Sequence, residues 1–391
     1  MKLSTDNILT THAGSLPRGE PLSTMLIDDE LGKPVDAAEI KEATEARVAH
    51  VLAKQTEAGV TVINDGEQGR VGFQTYMTTR MSGFGGVSER PYGLDWINFP
   101  GFSERFFQRL PPRIGKVFGA PQAIADVKYK DTTAIEAETE RLKRLAAKVK
   151  PQPADLFMNA PSPGIVATTM LNAHYATYED YLMAVAKELH KEYAAVVKAG
   201  FILQIDAPDL AMERTLLFQD KTDAEFAKIV EQHVAALNKG LEGIPADRVR
   251  LHVCWGNWEG PHDHDVPMEV ILPPLYQAKV GALGLEFAMS RRQHETAALR
   301  KHRPPEKLAI IPGVIDSKSN VVEHPEVVAQ RIEAVVAAVG DRERVIAGVD
   351  CGFGTFVGWE WVSEDVVWAK LKTLADGAAI ASKRLWGKKA A

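Results

Sequence analysis

His252 and Cys254 stand two residues apart in LHVCWGNW, and Cys351 follows far downstream in GVDCGFG. These are the only two cysteines among 391 residues. Residues i and i+2 of a β-strand face the same side, so a strand-borne His-x-Cys aims an imidazole and a thiol into one space. Two thiolates and an imidazole form a borderline-soft donor set that suits Zn²⁺. Glu286, in GLEFAMS, supplies a carboxylate as fourth ligand, or solvent or substrate takes that place. A zinc ion carrying two thiolates is electron-rich and a poor hydrolytic Lewis acid. Its better use is to hold an incoming thiol as the nucleophilic thiolate near pH 7, which points to alkyl transfer onto a thiol. Each residue alone also reads as core, because a buried cysteine behaves as a small hydrophobe.

The elements that must bring these residues together are legible as alternation. Short apolar runs predict strands at Ile8–His12, Val60–Asn64, Ala123–Val127, Asp155–Asn159, Ile202–Asp206, Arg250–Cys254, Leu283–Phe287, Leu308–Val314 and Val345–Asp350. Helical patterns fill most of the gaps, and three of them end at Gly59, Gly200 and Gly340, where glycine fits a left-handed cap. About eight strand–helix units predict an α/β fold of the (β/α)₈ TIM-barrel type, taken as one elaborated unit over residues 1–391. The ninth strand, Ala123–Val127, is surplus. It belongs to an aromatic, Gly/Pro-rich excursion over about residues 83–130, inserted after the second strand as a lid or dimer contact.

In such a barrel, chemistry collects at the C-terminal ends of the strands. The polar residues that end predicted strands are His12, Asp65 with Glu67, Asn159, Asp206, His252 with Cys254, Glu286, Asp316 with Lys318, and Cys351. Arg18 and Arg70 follow the first two strand ends, each suited to a carboxylate or sulfonate and each equally read as a surface ion pair. His262 and His264 lie in the GPHDHD loop as residues of the site mouth or as plain loop residues. Trp255, Trp258, Phe353, Phe356, Trp359 and Trp361 flank the two cysteine loops, either excluding water from a site or packing the core.

Composition narrows the classes. There are 46 basic and 52 acidic residues, a net charge of −6, with 45% hydrophobic and 25% charged residues, as in soluble globular proteins. The basic cluster KRLWGKKAA reads as a solvated tail, so nucleic acid is not an expected partner. The N-terminus lacks a secretory pattern and no apolar run is long enough for a bilayer, so the expected setting is cytoplasmic, without a structural disulfide. No GxGxxG or GK[ST] stretch suggests a nucleotide.

Taken in order, TTHAGSLPR, DGEQGR, LQIDAPDL, LHVCWG, GLEFAMSR, IPGVIDSKSN and GVDCG resemble the catalytic barrel of cobalamin-independent methionine synthase. The resemblance covers most of the chain and implies zinc held by His252, Cys254, Glu286 and Cys351. It implies a homocysteine site at Ser15 (with Ala13 and Gly14), Glu67 and Asp206, the carboxylates holding the amino group and the backbone near Ser15 the carboxylate. His12, Arg18 and Arg70 are placed with that substrate group, and Lys318 with Asp316 in the catalytic position. The sequence departs from the family in lacking a second, N-terminal barrel and so resembles its short branch. It also has Ala207 for an acidic residue, Met212 (with Glu213 one step on) for another, and Lys318 for a histidine.

Those changes fall on the alkyl donor's side. The implied activity is zinc-dependent transfer of an alkyl group, most simply methyl, to a substrate thiol held as a zinc thiolate, as in methionine formation from homocysteine. A non-folate donor is one alternative. Another is the epoxide-opening chemistry of the similar epoxyalkane:coenzyme M transferases, in which Lys318 would stabilise an alkoxide or else be a plain salt-bridged lysine. A non-catalytic metal-binding barrel is a further one. The implied partners are a small-molecule thiol and an alkyl donor, with a corrinoid protein as candidate methyl carrier and a homo-oligomer as candidate assembly.

Overall fold

The computed structural model describes residues 1–111 and 119–387. Residues 112–118, within the predicted excursion, and 388–391, the end of the basic cluster, lie outside the described residues. The strands are β1 (Val62–Ile63), β2 (Met81–Gly85), β3 (Gln122–Tyr129), β4 (Asp155–Pro161), β5 (Ile202–Asp206), β6 (Val249–His252), β7 (Ala282–Glu286) and β8 (Ala309–Gly313). Six of them form a parallel sheet in the order β1-β4-β5-β6-β7-β8.

Two extended segments close this sheet into a (β/α)₈ barrel. Thr11 N donates to Ala347 O (2.8 Å), Ala347 N to Leu9 O (2.8 Å) and Val62 N to Thr10 O (2.9 Å). On the other side, Ile346 N donates to Ile310 O (3.0 Å) and Gly348 N to Pro312 O (2.9 Å). The predicted strands Ile8–His12 and Val345–Asp350 are therefore present as isolated bridges, not continuous ladders. Threonine hydroxyls take over at the first seam. Thr10 N donates to Thr61 Oγ1 (2.8 Å), Thr61 N to Thr10 Oγ1 (3.0 Å) and Thr11 Oγ1 to Val62 O (3.0 Å). The same competition shortens predicted Val60–Asn64 to two residues.

Strands β5, β7 and β8 are buried throughout, as expected where helices cover a parallel sheet. Those helices carry one apolar face each. Tyr178–Lys198 buries Tyr181, Leu182, Val185, Ala186 and Leu189, and its N-cap Thr177 accepts from Asp180 N. Pro325–Val339 ends on Gly340 at φ +80°, the left-handed cap predicted there.

The surplus strand leaves the barrel. β3 pairs antiparallel with β2, and the helices Leu94–Asn98 and Pro100–Gln108 lie between them in sequence. A buried network ties the foot of this excursion to the barrel. Glu138 accepts from Arg70 (2.8 Å) and from Arg80, while Tyr76 and Tyr129 both donate to Glu192. Among the described residues, no helix is long and apolar enough to cross a membrane.

Candidate functional site

β6 delivers His252, and Val253 N continues the ladder to Gly284 O (3.0 Å), which carries Cys254 to the rim of the barrel. Cys351 arrives from the last barrel segment. Its neighbour Asp350 fixes it there by accepting from Phe287 N (3.0 Å), Ala288 N (3.0 Å) and Met289 N (2.8 Å). The two sulfurs, 97 positions apart in sequence, lie 3.6 Å from each other. His252, Cys254 and Cys351 each offer a ligand atom within 4.8 Å of the other two, and all three are buried.

The electrostatics of this cluster suit a cation. The Cys254 thiol is pushed well up by its hydrogen bond with Cys351 and by burial. Burial opposes a charge on His252, but its bond to Cys254 and the nearby Asp206 and Glu286 carboxylates raise it overall. His252 Nε2 is buried without a hydrogen-bond partner. A buried ring nitrogen with no partner beside two thiols fits a soft metal ion, for which deprotonated sulfur and neutral imidazole are the donors.

Glu286 stands apart from the three that converge. Its Oε1 takes Lys318 Nζ at 3.0 Å and Trp255 N at 3.4 Å, leaving buried Oε2 unpartnered. Burial disfavours the Lys318 charge, but Glu286 and Asp350 outweigh it and raise the lysine. Asp316 accepts from Lys318 N (2.8 Å) and so shapes the turn beneath that lysine.

A pair of carboxylates forms the second polar group. Asp206, at the end of β5, accepts from Asn159 Nδ2 (2.8 Å) and Gln204 Nε2 (2.7 Å). Glu67 sits at φ +55°, held by a turn in which Gly66 N donates to Asn64 Oδ1 (2.8 Å) and Glu67 N to Asp65 Oδ1 (3.0 Å). Such a conformation is unusual for a residue other than glycine. Burial and the facing Asp206 push the Glu67 carboxyl up to about 8, and its Oε2 has no partner.

Both groups open into one cavity of about 670 Å³. Its floor includes Ser15, Glu67, Asp206, His252, Cys254 and Cys351. Its walls come from the excursion, the loops after β5 and β6, and the last loop. Of the six aromatics flagged in sequence, Trp258, Phe356 and Trp359 line it, whereas Trp255, Phe353 and Trp361 do not. Trp255 packs fully inside, donating to Val266 O (2.8 Å) under Arg292. Sequence reasoning passed over Trp96, Phe106, Asn257 and Arg90, all lining residues. Asn257 shares a strand-end stretch with Cys254, a signal that was available. Met212 lines the cavity and Ala207 does not, while Glu213 is buried with both carboxylate oxygens accepting from Arg90 Nη2 (2.6 and 2.8 Å).

Several residues expected at the site lie outside this cavity. His12 bonds Gln55 through Nε2 (2.7 Å) and accepts from Gly14 N (3.2 Å), and burial lowers its imidazole to about 3. It lines a small void under the site instead. Arg18 and Arg70 are neither lining residues nor surface ion pairs. Arg18 is fully buried, donating to Arg70 O (2.7 Å) and Gly354 O, and Arg70 pairs with Glu138 and Asn159 O (2.7 Å). Buried His262 stacks on Trp258 and meets Asp265 at 3.2 Å, and His264 meets Asn98 on the exterior.

Comparison with known proteins places the chain in a family. A 2-hydroxypropyl-CoM lyase from Xanthobacter autotrophicus is 25% identical, covering 90% of this chain and 89% of its own. A methionine synthase from Thermococcus kodakarensis is 24% identical, covering 96% and 94%. The solved B12-independent methionine synthase from Shewanella sp. W3-18-1, in complex with selenomethionine, superposes with a TM-score of 0.71 at 21% identity, over 98% of this chain and 100% of that one. Residues 118–373 match the family described as "Cobalamin-independent synthase, Catalytic domain". The chain therefore belongs to the cobalamin-independent synthase family, through its catalytic domain.

Proposed function

We propose that the protein alkylates the thiol of an amino-acid acceptor of the homocysteine kind, with zinc held by His252, Cys254 and Cys351. The observation that carries this reading is the shared cavity, where two buried carboxylates and the His-Cys-Cys cluster form one floor. An amino-acid thiol needs both features, an anionic pocket for its ammonium and a place for its sulfur. Zinc, when bound, supplies the Lewis acidity that keeps a thiol deprotonated near neutral pH.

The chain's own residues supply the rest. Asp206, fixed by Asn159 and Gln204, and Glu67, with a free oxygen, receive the ammonium group. Gly14, at φ +122°, keeps the backbone before Ser15 pressed against Asn159, where an added Cβ would meet that side chain at 2.2 Å. Glu286, held through Oε1 by Lys318, would either lend a further donor to the ion or leave that place to the substrate sulfur.

The same lining speaks against a sulfonate thiol such as the one in the name of the Xanthobacter relative. A sulfonate calls for a cation facing the cavity, yet among the described residues Arg18 and Arg70 are engaged elsewhere and Arg90, which lines the cavity, is paired with Glu213. The test is metal analysis with thiol titration of cobalt-substituted protein. Homocysteine should shift the thiolate-to-cobalt absorption band and coenzyme M should do so only at far higher concentration. About one zinc per chain is expected, and a metal content well below that, or equal response to the two thiols, overturns the reading.

A further inference from the structure

We propose that the second substrate is an onium compound, a sulfonium or quaternary ammonium carrying the alkyl group, received by the aromatic upper half of the cavity. This rests on the thiol-alkylation reading above and names its donor by chemical class.

Trp96, Phe106, Trp258 and Trp359 form a continuous run of rings along the lining. Trp96 lies 4.9 Å from Trp258 and 5.4 Å from Phe106, and Phe106 lies 5.7 Å from Trp359, centroid to centroid. Ring faces are electron-rich and attract a diffuse cation, most strongly when water is excluded. The charges agree. Glu67, Glu89 and Asp206 line the cavity, whereas its one described arginine, Arg90, is neutralised by Glu213. Unpartnered buried polar atoms along the wall include the acceptors Glu67 Oε2, Gln74 Oε1 and Asn257 Oδ1, and the donors Trp96 Nε1 and Arg90 Nε. Among the described lining residues there is no lysine, and no arginine without a carboxylate partner, to repel an incoming onium group.

Chemistry points the same way. A thiolate that attacks the alkyl carbon of a sulfonium forms a C–S bond while the old C–S⁺ bond breaks. Its electron pair returns to the departing sulfur, which leaves as a neutral thioether. No proton is needed by the leaving group. A donor that leaves as an amide or alkoxide anion needs an acid at that place. The lysine of this site does not supply one, because Lys318 is buried against Glu286 and outside the cavity.

The test uses a matched pair of probes on the zinc-loaded full chain. Choline and its uncharged isostere 3,3-dimethyl-1-butanol are titrated against tryptophan fluorescence, and trimethylsulfonium and 5-methyltetrahydrofolate are offered as methyl donors to homocysteine. Choline should bind at least about tenfold more tightly than the isostere, and Trp96→Leu should erase that difference. Trimethylsulfonium should yield methionine and dimethyl sulfide. Equal binding of the two probes, or methionine formed from the folate alone, overturns the proposal. A cobalt form that fails to respond to homocysteine would instead sink the thiol reading, and the probe comparison on the wild-type chain remains decisive for the cage.

Discussion

Lys318 Nζ lies 3.0 Å from Glu286 Oε1, with both side chains buried, so the chain brings its own cation to a carboxylate beside the His-Cys-Cys cluster. Removing one partner of a buried pair strands the other charge, at a cost of about 3–5 kcal/mol. Lys318→Met should therefore destabilise metal-free protein by about that amount, and zinc should recover more stability in the variant than in the wild type, because the ion replaces the lost ammonium. Urea unfolding with and without zinc measures both. An equal zinc increment in the two proteins would show that Glu286 does not face the ion.

Asp350 acts through Cys351. One carboxylate holds three consecutive amides of the loop after β7, and Gly313 leaves the room for it, since a Cβ there would sit 2.2 Å from Asp350 Oδ1. Burial and Glu286 push Asp350 up to about 7. Asp350→Ala should weaken zinc binding about 10- to 100-fold, the range for losing an outer partner of a metal ligand. Competition with a chromophoric chelator reads this directly, and an unchanged affinity would make Asp350 a purely structural anchor.

Glu67 predicts a pH signature. Its carboxyl is raised from 4.5 to about 8 by burial and by Asp206. Between those values the folded state binds more protons than the unfolded one, so this group lowers stability as pH rises through that window. Glu67→Gln should flatten that slope, and its advantage over wild type should appear at pH 8 and vanish near pH 4. An ammonium ligand pulls the carboxyl down, so affinity for homocysteine should climb with pH toward 8. Thermal unfolding and thiol titrations at stepped pH check both statements. A variant with the wild-type slope would remove Glu67 from the account.

Loss of that carboxylate should also be selective. A hydrogen bond to a charged group contributes about 1.5–3 kcal/mol, so Glu67→Gln should raise KM for homocysteine about 10- to 100-fold. A thiol acid without the amino group, 4-mercaptobutyrate, should be affected far less. Equal losses for the two acceptors would mean that the ammonium is held elsewhere.

Cys351→Ala should bring zinc well below one per chain and reduce alkyl transfer by more than about 100-fold, beyond the effect of losing an outer partner. Inductively coupled plasma analysis and a thioether assay give the two numbers.

Much of the barrel was legible because parallel strands are buried on both faces and read as apolar runs, as in Ile202–Asp206 and Ala282–Glu286. The first and last barrel segments read as full strands but form only isolated bridges, and at the first seam apolarity cannot reveal that Thr10 and Thr61 hydroxyls replace ladder bonds. Convergence of His252, Cys254 and Cys351 followed from strand ends alone. Pairing of Glu286 with Lys318 did not, since their separation of 32 residues says nothing of relative height in the barrel. His12, Arg18 and Arg70 show the complementary case. A polar residue after a strand can serve packing as well as substrate, and these three end in Gln55, Gly354 and Glu138. The excursion's aromatics were visible in composition, but their direction toward the cavity is set by contacts such as Trp258 Nε1 with Asp95 (3.1 Å), which no local pattern encodes.

The 3.6 Å approach of the two sulfurs joins β6 to the segment that follows β8, with β7 and β8 between them around the ring. No partly folded chain holding only one of these stretches can present that pair. An ion gripped there would be a clasp across the mouth of the barrel, fastened only after the last strand has docked. Metal uptake would then report completion of the whole ring, and a bound ion should slow its opening, since parting the final segment from β6 would require the clasp to release.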